Sequence, residues 1–455
     1  MAGPRPDRRA ATAAILALPF AATAAGAADG TASIRAFGAV ADGATVNTRA
    51  IQSGIDALAA RGGGTLVVPR GVFVSGALFL KPGVHLHLDA GAVLRCTTDM
   101  VHFPPQRTRI EGHFEESFTP ALINAAACDG LRITGAGTLD GAGRPVWDLF
   151  WKRRAAAPDP GNFPNIGLPR ARLALIERSR GVTIDGVTFR DSQFWNLHLY
   201  RCRDVTVRRT RFEVPDDYQQ APSSDGIDID SCQDVTIDGC YFSVTDDCIA
   251  AKGSKGPNAL SDTDSPPVER IRVRNCHFRR GHQVFSCGSE ATIIRDVVVE
   301  RSTVSGAMVL ARLKLRPDTP QRYENVTFRD ITLDNAGGAI VAVEPWTQYR
   351  DPRAAAPPSH VRGLSFVRIR GRFGAFGTIR PNPGQTTIDD IAFRDIDVRL
   401  TRPVLVADGV QGLRFDRVRV NGTVQSPPLR DGRKRKHLTQ PNEARQAGIM
   451  PTRAG

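Results

Sequence analysis

Apolar and polar residues alternate in short segments along most of the chain, and turn-forming or charged residues separate these segments. Alternation with a period of two predicts β-strands rather than helices. One such segment recurs ten times in the second and later parts of the chain. The copies begin at Gly130, Gly181, Asp204, Asp234, Arg270, Asp296, Asn325, Gly363, Asp390 and Gly412.

After the first gap, successive copies lie 22 to 38 residues apart. A unit of this size cannot bury its apolar face alone, so the units must stack on one another. Stacked short strands without helical intervals predict an all-β parallel β-helix, in which longer steps carry inserted loops. A β-propeller is the alternative, but each of its blades needs about 40 residues, and the short steps count against it.

The pattern also predicts one helix, over residues 47–60. Ile51, Ile55 and Leu58 fall on one helical face, and Gly62 to Gly64 end the helix. We expect this short helix to cap the N-terminal end of the solenoid, where strand edges would otherwise be exposed. Irregular stretches at 100–120, 147–170 and 347–359 interrupt the repeat and predict long loops. Such loops either form a binding site or are plain surface insertions.

The two ends of the chain differ from the repeats. Residues 1–27 combine Arg8 and Arg9 with an alanine-rich apolar run and a small-residue cleavage site at Ala25-Gly26-Ala27, which predicts an export signal. We therefore expect an exported protein, periplasmic or extracellular, with a β-helix domain over 28–425. Residues 426–455 form a basic tail that we expect to be disordered. No other segment reaches the roughly 20 apolar residues of a membrane span, so no membrane partner is expected.

Charge and cysteine content say less about function than the repeats do about fold. The net charge of +13 favours a polyanionic partner, although a solvated basic surface explains it equally well. The tail segment Arg433-Lys434-Arg435-Lys436 suggests nucleic acid, but export and the lack of a nucleic-acid module count against that partner. The eight cysteines contain no C-x-x-C pair, so no zinc site is expected. In a chain this large, most of them should be buried and unpaired.

Three aspartates are the first candidates for chemistry. Asp225 and Asp246 are 21 residues apart, about one short coil, and Asp247 follows directly. If the coils stack in register, the three carboxylates cluster. Clustered carboxylates push their pKa values apart, so that one stays protonated as a general acid beside a general base. The alternative is that these aspartates only cap turns.

A histidine and two cations come from the coils that follow. His282 lies in Gly281-His282-Gln283, and Arg312 and Lys314 alternate with leucines in a strand. Alternation directs the leucines into the core and the cations outward, near the aspartates. A pair of cations suits a ligand carboxylate, although an ordinary charged outer face is equally compatible with the pattern.

Taken in order, these segments resemble family 28 glycoside hydrolases, the polygalacturonases and their relatives. The family motifs Asn-Thr-Asp, Asp-Asp, Gly-His-Gly and Arg-Ile-Lys correspond to segments of this chain around Asp225, Asp246, His282 and Arg312. Upstream segments from Phe37 to Gly71 also look like the family's N-terminal region. The resemblance covers about residues 33–425 and implies a single-stranded, right-handed, pectin-lyase-like β-helix.

The resemblance also implies a reaction, namely inverting hydrolysis of a galacturonic-acid-containing pectic polysaccharide or oligosaccharide. Asp246 would be the general acid, while Asp225 and Asp247 would activate water. His282 would tune the acid, and Arg312 and Lys314 would hold the substrate. No cofactor or metal is implied, and we expect a monomer. Segment 104–112 looks like that of the exo-acting and bacterial branches, which favours exo action.

Two departures from the family pattern concern substrate binding. Ser223-Ser224-Asp225 replaces Asn-Thr-Asp, which removes an amide, and Gln283 replaces the second glycine of Gly-His-Gly. Plain polygalacturonate, rhamnogalacturonan and decorated variants therefore all stay open as substrates. A polysaccharide lyase on the same scaffold and a carbohydrate-binding β-helix without catalysis are the alternatives to a hydrolase.

Overall fold

The computed structural model describes residues 30–346 and 357–427 of the chain. They form a right-handed parallel β-helix, so the predicted fold class is confirmed. The predicted export signal, almost all of the basic tail and most of the stretch at 347–359 lie outside the described residues. Each coil contributes a short strand to each of three faces of one large sheet, which we call faces one, two and three.

Face one carries the residues that matter most for function. Its strands are Leu78–Leu80, Ile123–Ala126, Ala174–Glu177, Leu197–Tyr200, Ile227–Asp230, Ile249–Lys252, Gln283–Cys287, Val309–Leu315 and Ala339–Pro345.

Faces two and three complete each coil. Face two contains Thr31–Ser33, Gly64–Val68, Val84–Leu88, Arg132–Gly135, Thr183–Asp185, Arg203–Arg208, Gln233–Asp238 and Val268–Arg274. Face three contains Asp42–Val46, Gly71–Ser75, Ala92–Cys96, Thr138–Asp140, Thr188–Arg190, Arg211–Glu213, Tyr241–Ser243 and His277–Arg280. In the later coils, longer strands bend from one face into the next. These and the last short strands are Ile293–Val304, Arg322–Asp334, Ser359–Ile379, Thr386–Ala407, Val410–Gln411, Arg414–Val420 and Thr423–Val424.

The turn that enters face two explains why the sequence repeats begin as they do. Every repeat starts with a residue in the left-handed region, which is accessible mainly to glycine, asparagine and aspartate. The glycines at 130, 181, 363 and 412 have φ between 64° and 71°. Six non-glycine residues, with φ between 54° and 59°, occupy the same position in other coils: Asp204, Asp234, Arg270, Asp296, Asn325 and Asp390.

Identical positions of successive coils stack inside the solenoid. Phe212 lies between Phe189 and Phe242 with ring centroids 5.1 Å away on either side, and Phe278 continues the stack at 5.0 Å. All eight cysteines are buried and free, as the sequence predicted for most of them. Burial raises the pKa of the Cys232, Cys248 and Cys287 thiols. The core is therefore held by packing, without cross-links among its cysteines.

The predicted capping helix is confirmed as α1, Thr48–Ala60, whose buried residues include Ile51, Ile55 and Leu58. It packs against the first strands of face two. The prediction of a single helix is wrong, because a second helix, α2, spans Arg144–Ala155 and overlaps the stretch at 147–170 interpreted as a loop. Short 3-10 turns complete the helical elements: Ile34–Phe37, Met100–His102, Pro160–Asn162, Asn165–Gly167 and Ala259–Ser261.

The irregular stretch at 100–120 is partly a β-hairpin rather than a loop. Its strands, Gln106–Ile110 and His113–Phe118, pair with each other and with no other described strand. We call this element the lid hairpin.

Candidate active site

The strands of face one place ionisable side chains in rows across the coils. In Ile227–Asp230 the isoleucines point into the core, so Asp228 and Asp230 point outward. Parallel register aligns Asp228 with Ala250, Ser286 and Arg312 in the following coils. The next outward row contains Asp230 and Lys252. The structure therefore concentrates charge on one face.

The three predicted aspartates meet where the strands of face one begin. Ile227 pairs with Ile249, 22 residues later, and the amide of Gly226 donates to the carbonyl of Asp247 at 2.9 Å. This register places Asp225 level with Asp247, one residue away from the alignment with Asp246 that the spacing of 21 suggested. The carboxylates nevertheless interact electrostatically as one group.

His282 lies beside Asp246 at the mouth of the cleft. Its backbone amide donates to the Asp246 carbonyl at 2.8 Å, and its Nδ1 is 3.3 Å from Asp246 Oδ1. The side chain of His282 is 62% exposed and that of Asp246 is 30% exposed, whereas Asp247 is only 1% exposed. Asp246 is therefore more accessible to solvent than Asp247.

The two predicted cations have different neighbours. Lys314 Nζ donates to Asp247 Oδ2 at 2.8 Å, which places it within the carboxylate cluster. Arg312 instead donates to Glu344 Oε2 at 2.9 Å. Both cationic groups lie 5.4 Å from the ring centroid of Trp346. Lys314 thus connects the aspartates to a more open part of the cleft, where Arg312 and an aromatic ring lie.

Four functional candidates were missed from the sequence, namely Asp228, Lys252, Glu290 and Trp195. Lys252 Nζ lies 3.5 Å from Asp228, 3.8 Å from Asp225 and 3.9 Å from Glu290. It also lies 4.7 Å from the Trp195 ring centroid. Neither carboxylate oxygen of Asp228 has a hydrogen-bond partner among the described residues. The strand alternation that singled out Arg312 and Lys314 would have found Asp228 and Lys252 as well.

The lid hairpin covers face one on the N-terminal side of this cluster. Its tip contains Gly112 with φ 78°, and a Cβ there would lie 2.9 Å from the Glu290 Cβ. Asn165 donates to Glu111 Oε1 at 3.2 Å and ties the tip to a second loop. Only a glycine permits this close approach. The hairpin therefore forms an end wall beside Glu290, close to Lys252.

A buried ionic network anchors the lid hairpin. Arg109 Nε donates to Asp230 Oδ2 at 3.2 Å, and both side chains are 2% exposed. Arg172 donates to the Arg109 carbonyl at 2.9 Å, to Thr108 Oγ1 at 2.7 Å and to His198 Nδ1 at 2.8 Å. Burial, followed by the charges of Arg172 and Arg109, lowers the pKa of His198 to about 4, although Asp230 opposes this. His198 is thus neutral, and Asp230 balances the two arginines.

Comparison with known proteins places this geometry in a family. The sequence profile of "Glycosyl hydrolases family 28" matches residues 65–403. The chain belongs to glycosyl hydrolase family 28. The resemblance inferred from the motifs is confirmed, and all six predicted site residues lie within the matched region.

Individual relatives of this family 28 chain are distant. An exopolygalacturonase from Platanus acerifolia is 23% identical over 69% of this chain and 76% of its own length. A probable polygalacturonase from Vitis vinifera is 30% identical, and the match covers 44% of this chain and 40% of the grape protein. The exopolygalacturonase structure from Thermotoga maritima has a TM-score of 0.63 at 24% identity, covering 87% of this chain and 92% of that one. That structural likeness supports the fold.

Within the family 28 site, the carboxyl groups differ strongly in proton affinity. Burial and the charges of Asp246 and Asp228 raise the pKa of Asp225 well above its usual range. Burial raises the pKa of Asp228 to about 8, although Lys252 opposes this. Partial burial acts on Asp246 in the same direction, but His282, Lys314 and Lys252 outweigh it and lower the pKa of Asp246 to about 2.

His282 completes this distribution of protons. Partial desolvation by neighbouring groups lowers its pKa, but the hydrogen bond and charge of Asp246 outweigh this, so the pKa of His282 rises above its ordinary value. These pKa shifts favour the cationic form of His282 beside an anionic Asp246, and the protonated forms of Asp225 and Asp228. This arrangement supplies both protonated and ionised carboxyl groups in one cleft, as acid–base catalysis requires.

The raised pKa of Asp228 predicts a pH-dependent cost to stability. From about pH 4 to pH 8 the native state keeps a proton that the unfolded chain releases, so rising pH destabilises the native state. Asp228→Asn removes this titration. We expect the variant to gain stability relative to the unmodified protein from pH 5 to pH 8, by about 1 kcal/mol or more. Thermal unfolding at both pH values measures this difference.

Asp397→Asn is the matched control for this measurement, because Asp397 is exposed on a late strand. The difference in stability between Asp397→Asn and the unmodified protein should be the same at pH 5 and pH 8. If the difference in stability between Asp228→Asn and the unmodified protein were also independent of pH, Asp228 would not be protonated in the native state.

Asp246, Asp247 and His282 also have the composition of a small metal site, since their ligand atoms lie within 4.8 Å of one another. However, the Lys314 ammonium contacts Asp247 directly. A cation there neutralises the carboxylate and competes with a metal ion. The cluster therefore fits acid–base chemistry better than metal binding.

No helix among the described residues is long and apolar enough to cross a membrane.

Proposed function

We propose that the protein is an exported, exo-acting hydrolase that cleaves galacturonic-acid-containing pectic chains with inversion at the anomeric carbon. The observation that carries the proposal is the convergence of three aspartates, His282 and Lys314 at one cleft of face one. Family 28 membership and relatives described as exopolygalacturonases support it. The export signal predicted from residues 1–27 agrees with a polymeric substrate outside the cell.

In the proposed reaction, Asp246 protonates the glycosidic oxygen while Asp225 and Asp247 activate a water molecule. Asp246 suits the role of acid because it is the most accessible of the three carboxyls and has His282 beside it. Inversion requires the water to attack from the face opposite to the leaving group. Asp225 and Asp247 suit the role of base because they lie deeper, beneath Asp246.

Substrate binding must then move a proton, because Asp246 is ionised in the free protein. A galacturonate carboxylate against Lys314 and Arg312 would offset the positive charge that holds the pKa of Asp246 low. The pKa of Asp246 would rise as a result. One proton shared by the coupled pair would pass from Asp225 to Asp246, which would leave Asp225 as the base. The acidic substrate thereby helps to produce the reactive protonation state.

The lid hairpin supports exo action. The hairpin closes the cleft where the face-one strands end, beside Glu290, whereas the aspartates and the exposed His282 lie where these strands begin. A cleft with one closed end accepts a chain terminus more readily than the middle of a polymer. Gln283 faces the same region, and its Oε1 is buried without a hydrogen-bond partner among the described residues. This acceptor suits a sugar hydroxyl and fits the family departure at this position.

The product distribution tests the proposal. We expect incubation with polygalacturonate to release one short product from the start of the reaction, with the viscosity of the solution falling slowly. Chromatographic sizing of early products measures this, and NMR of the first-formed anomer reports on inversion. A panel that adds rhamnogalacturonan and decorated pectic oligosaccharides identifies the preferred backbone.

Other outcomes separate the alternatives. Unsaturated products with ultraviolet absorbance would identify a lyase, and binding without any release of sugar would identify a non-catalytic module. A ladder of intermediate oligomers at early times would contradict exo action, while leaving hydrolysis intact.

A further inference from the structure

A second groove lies at the other end of the face-one strands, away from the aspartates. It has a volume of about 400 Å³. Four arginines line it, in the turns that leave Ala174–Glu177 and Leu197–Tyr200. They are Arg178, Arg180, Arg201 and Arg203, and we call the space the arginine groove.

The arginines stack on one another between adjacent coils. The Arg178 amide donates to the Tyr200 carbonyl at 2.8 Å, which brings its turn level with that of Arg201. Arg180 pairs with Arg203 in a parallel bridge. Adjacent strands lie about 4.8 Å apart, and like charges placed directly opposite each other are destabilising. The fold therefore accepts an unfavourable arrangement at this place.

At several other positions an arginine instead faces an aspartate of the neighbouring coil. Examples are the pair of Arg270 and Asp234 at 2.6 Å and that of Arg208 and Asp185 at 2.9 Å. In contrast, Arg178 and Arg203 form no ion pair with any residue in 30–346 or 357–427. Asp129 also lines the arginine groove, but the four arginines outnumber the aspartates that line the groove or pair with them, so the groove keeps an excess of positive charge.

The remaining two arginines have partners that solvent can replace. Arg180 pairs with Asp204 at 2.7 Å and Arg201 pairs with Asp264 at 2.7 Å. The Arg180 side chain is 71% exposed, and exposed pairs of this kind contribute little to stability. A ligand carboxylate can therefore displace either aspartate at small cost.

The floor and rim of the groove are also suited to a polar chain. Ser179, Ser231 and Gln233 are buried along the floor, and Thr263 and Pro266 form a rim. Arginine presents a planar fork of donors that matches a carboxylate in a bidentate manner. Repeated forks one coil apart suit a polymer with a carboxylate on every sugar.

We propose that the arginine groove is a second binding site for the acidic polysaccharide, which holds a distant segment of the chain whose end enters the catalytic cleft. This inference rests on the proposed function for the identity of the polymer. Ser231 lies six positions after Asp225, which spans roughly 20 Å at about 3.3 Å per residue. The lid hairpin packs against Asp230 between the two sites, so a polymer must pass around the hairpin to occupy both. A trisaccharide is too short to reach both.

The test compares two double variants of the full chain. Arg178→Gln with Arg203→Gln removes the unpaired charges, while Arg399→Gln with Arg402→Gln makes the same charge change at exposed residues of a late strand. Both retain the basic tail. In an Asp246→Asn background, we expect the groove variant to bind polygalacturonate about tenfold more weakly by titration calorimetry. The control variant should bind as the parent does.

A kinetic readout separates the groove from the catalytic cleft. With Asp246 present, the groove variant should show a raised KM on polygalacturonate and an unchanged kcat/KM on trigalacturonate. Equal losses in both double variants, or an equal loss on trigalacturonate, would overturn the proposal. The proposal would also be overturned if the groove variant bound DNA more weakly but bound polygalacturonate as the parent does. If the unmodified protein shows no hydrolytic activity but the groove variant still binds polygalacturonate more weakly, the groove is supported and the proposed function is refuted.

Discussion

Replacing Asp246 by asparagine should lower kcat on polygalacturonate by about 10³-fold while leaving the fold intact. The substitution preserves size but removes the proton that Asp246 gives to the leaving oxygen in the proposed reaction. General acid catalysis contributes about 10²- to 10⁴-fold. Asp246 is partly exposed and lies beside an exposed His282, so the change should not disturb the core. Initial rates of reducing-sugar release measure the effect, and thermal unfolding checks the fold.

A change of leaving group distinguishes an acid from a base at this position. An aryl galacturonide with an acidic phenol departs without protonation, so Asp246→Asn should retain most of its activity on that substrate. Asp225→Asn should lose activity on both substrates, because the water still needs a base. If Asp246→Asn lost activity equally on both, the acid would have to be assigned to another carboxyl.

Among the variants proposed, replacement of Asp230 by asparagine should cause the largest loss of stability. We expect the free energy of unfolding to fall by about 3 kcal/mol or more. Asp230 is 2% exposed and balances Arg109, and it contributes to the charge around Arg172. Removing one member of a buried ionic network leaves an uncompensated charge, which typically costs 3–5 kcal/mol. Urea unfolding followed by circular dichroism measures the free energy of unfolding.

Asp330→Asn is the matched control, since Asp330 pairs with Arg368 on the surface. Its loss should stay below about 1 kcal/mol. The Asp230 variant should also release the lid hairpin and so yield intermediate oligomers among its products. Equal losses in the two variants would show that the buried network does not anchor the hairpin.

The part of this structure that repeats could be predicted from the sequence. Alternation, and the glycine, asparagine or aspartate at nine of the ten repeat starts, follow local rules. The coils could therefore be predicted without any long-range information. The outward direction of Lys314 followed from the same alternation. Asp228 obeys that rule too and could have been predicted, had the strand that begins at Ile227 been treated like the later one.

The lid hairpin and α2 could not be found in this way. Arg109 and Asp230 are 121 residues apart in the sequence, and no local pattern indicates that they meet. Helix α2 presents only a short apolar face, which includes Val146, Trp147 and Phe150. Its stability comes from tertiary partners such as Tyr218, whose ring lies 4.7 Å from that of Trp147.

The stacked core also bears on the reactivity of the cysteines. Only the thiolate form of cysteine attacks a disulfide or a metal ion, and burial with a raised pKa keeps the thiols of Cys232, Cys248 and Cys287 in the unreactive form. The native state therefore requires neither an oxidant nor a reductant. Once folded, the solenoid therefore shields these three thiols from oxidants and from metal ions outside it.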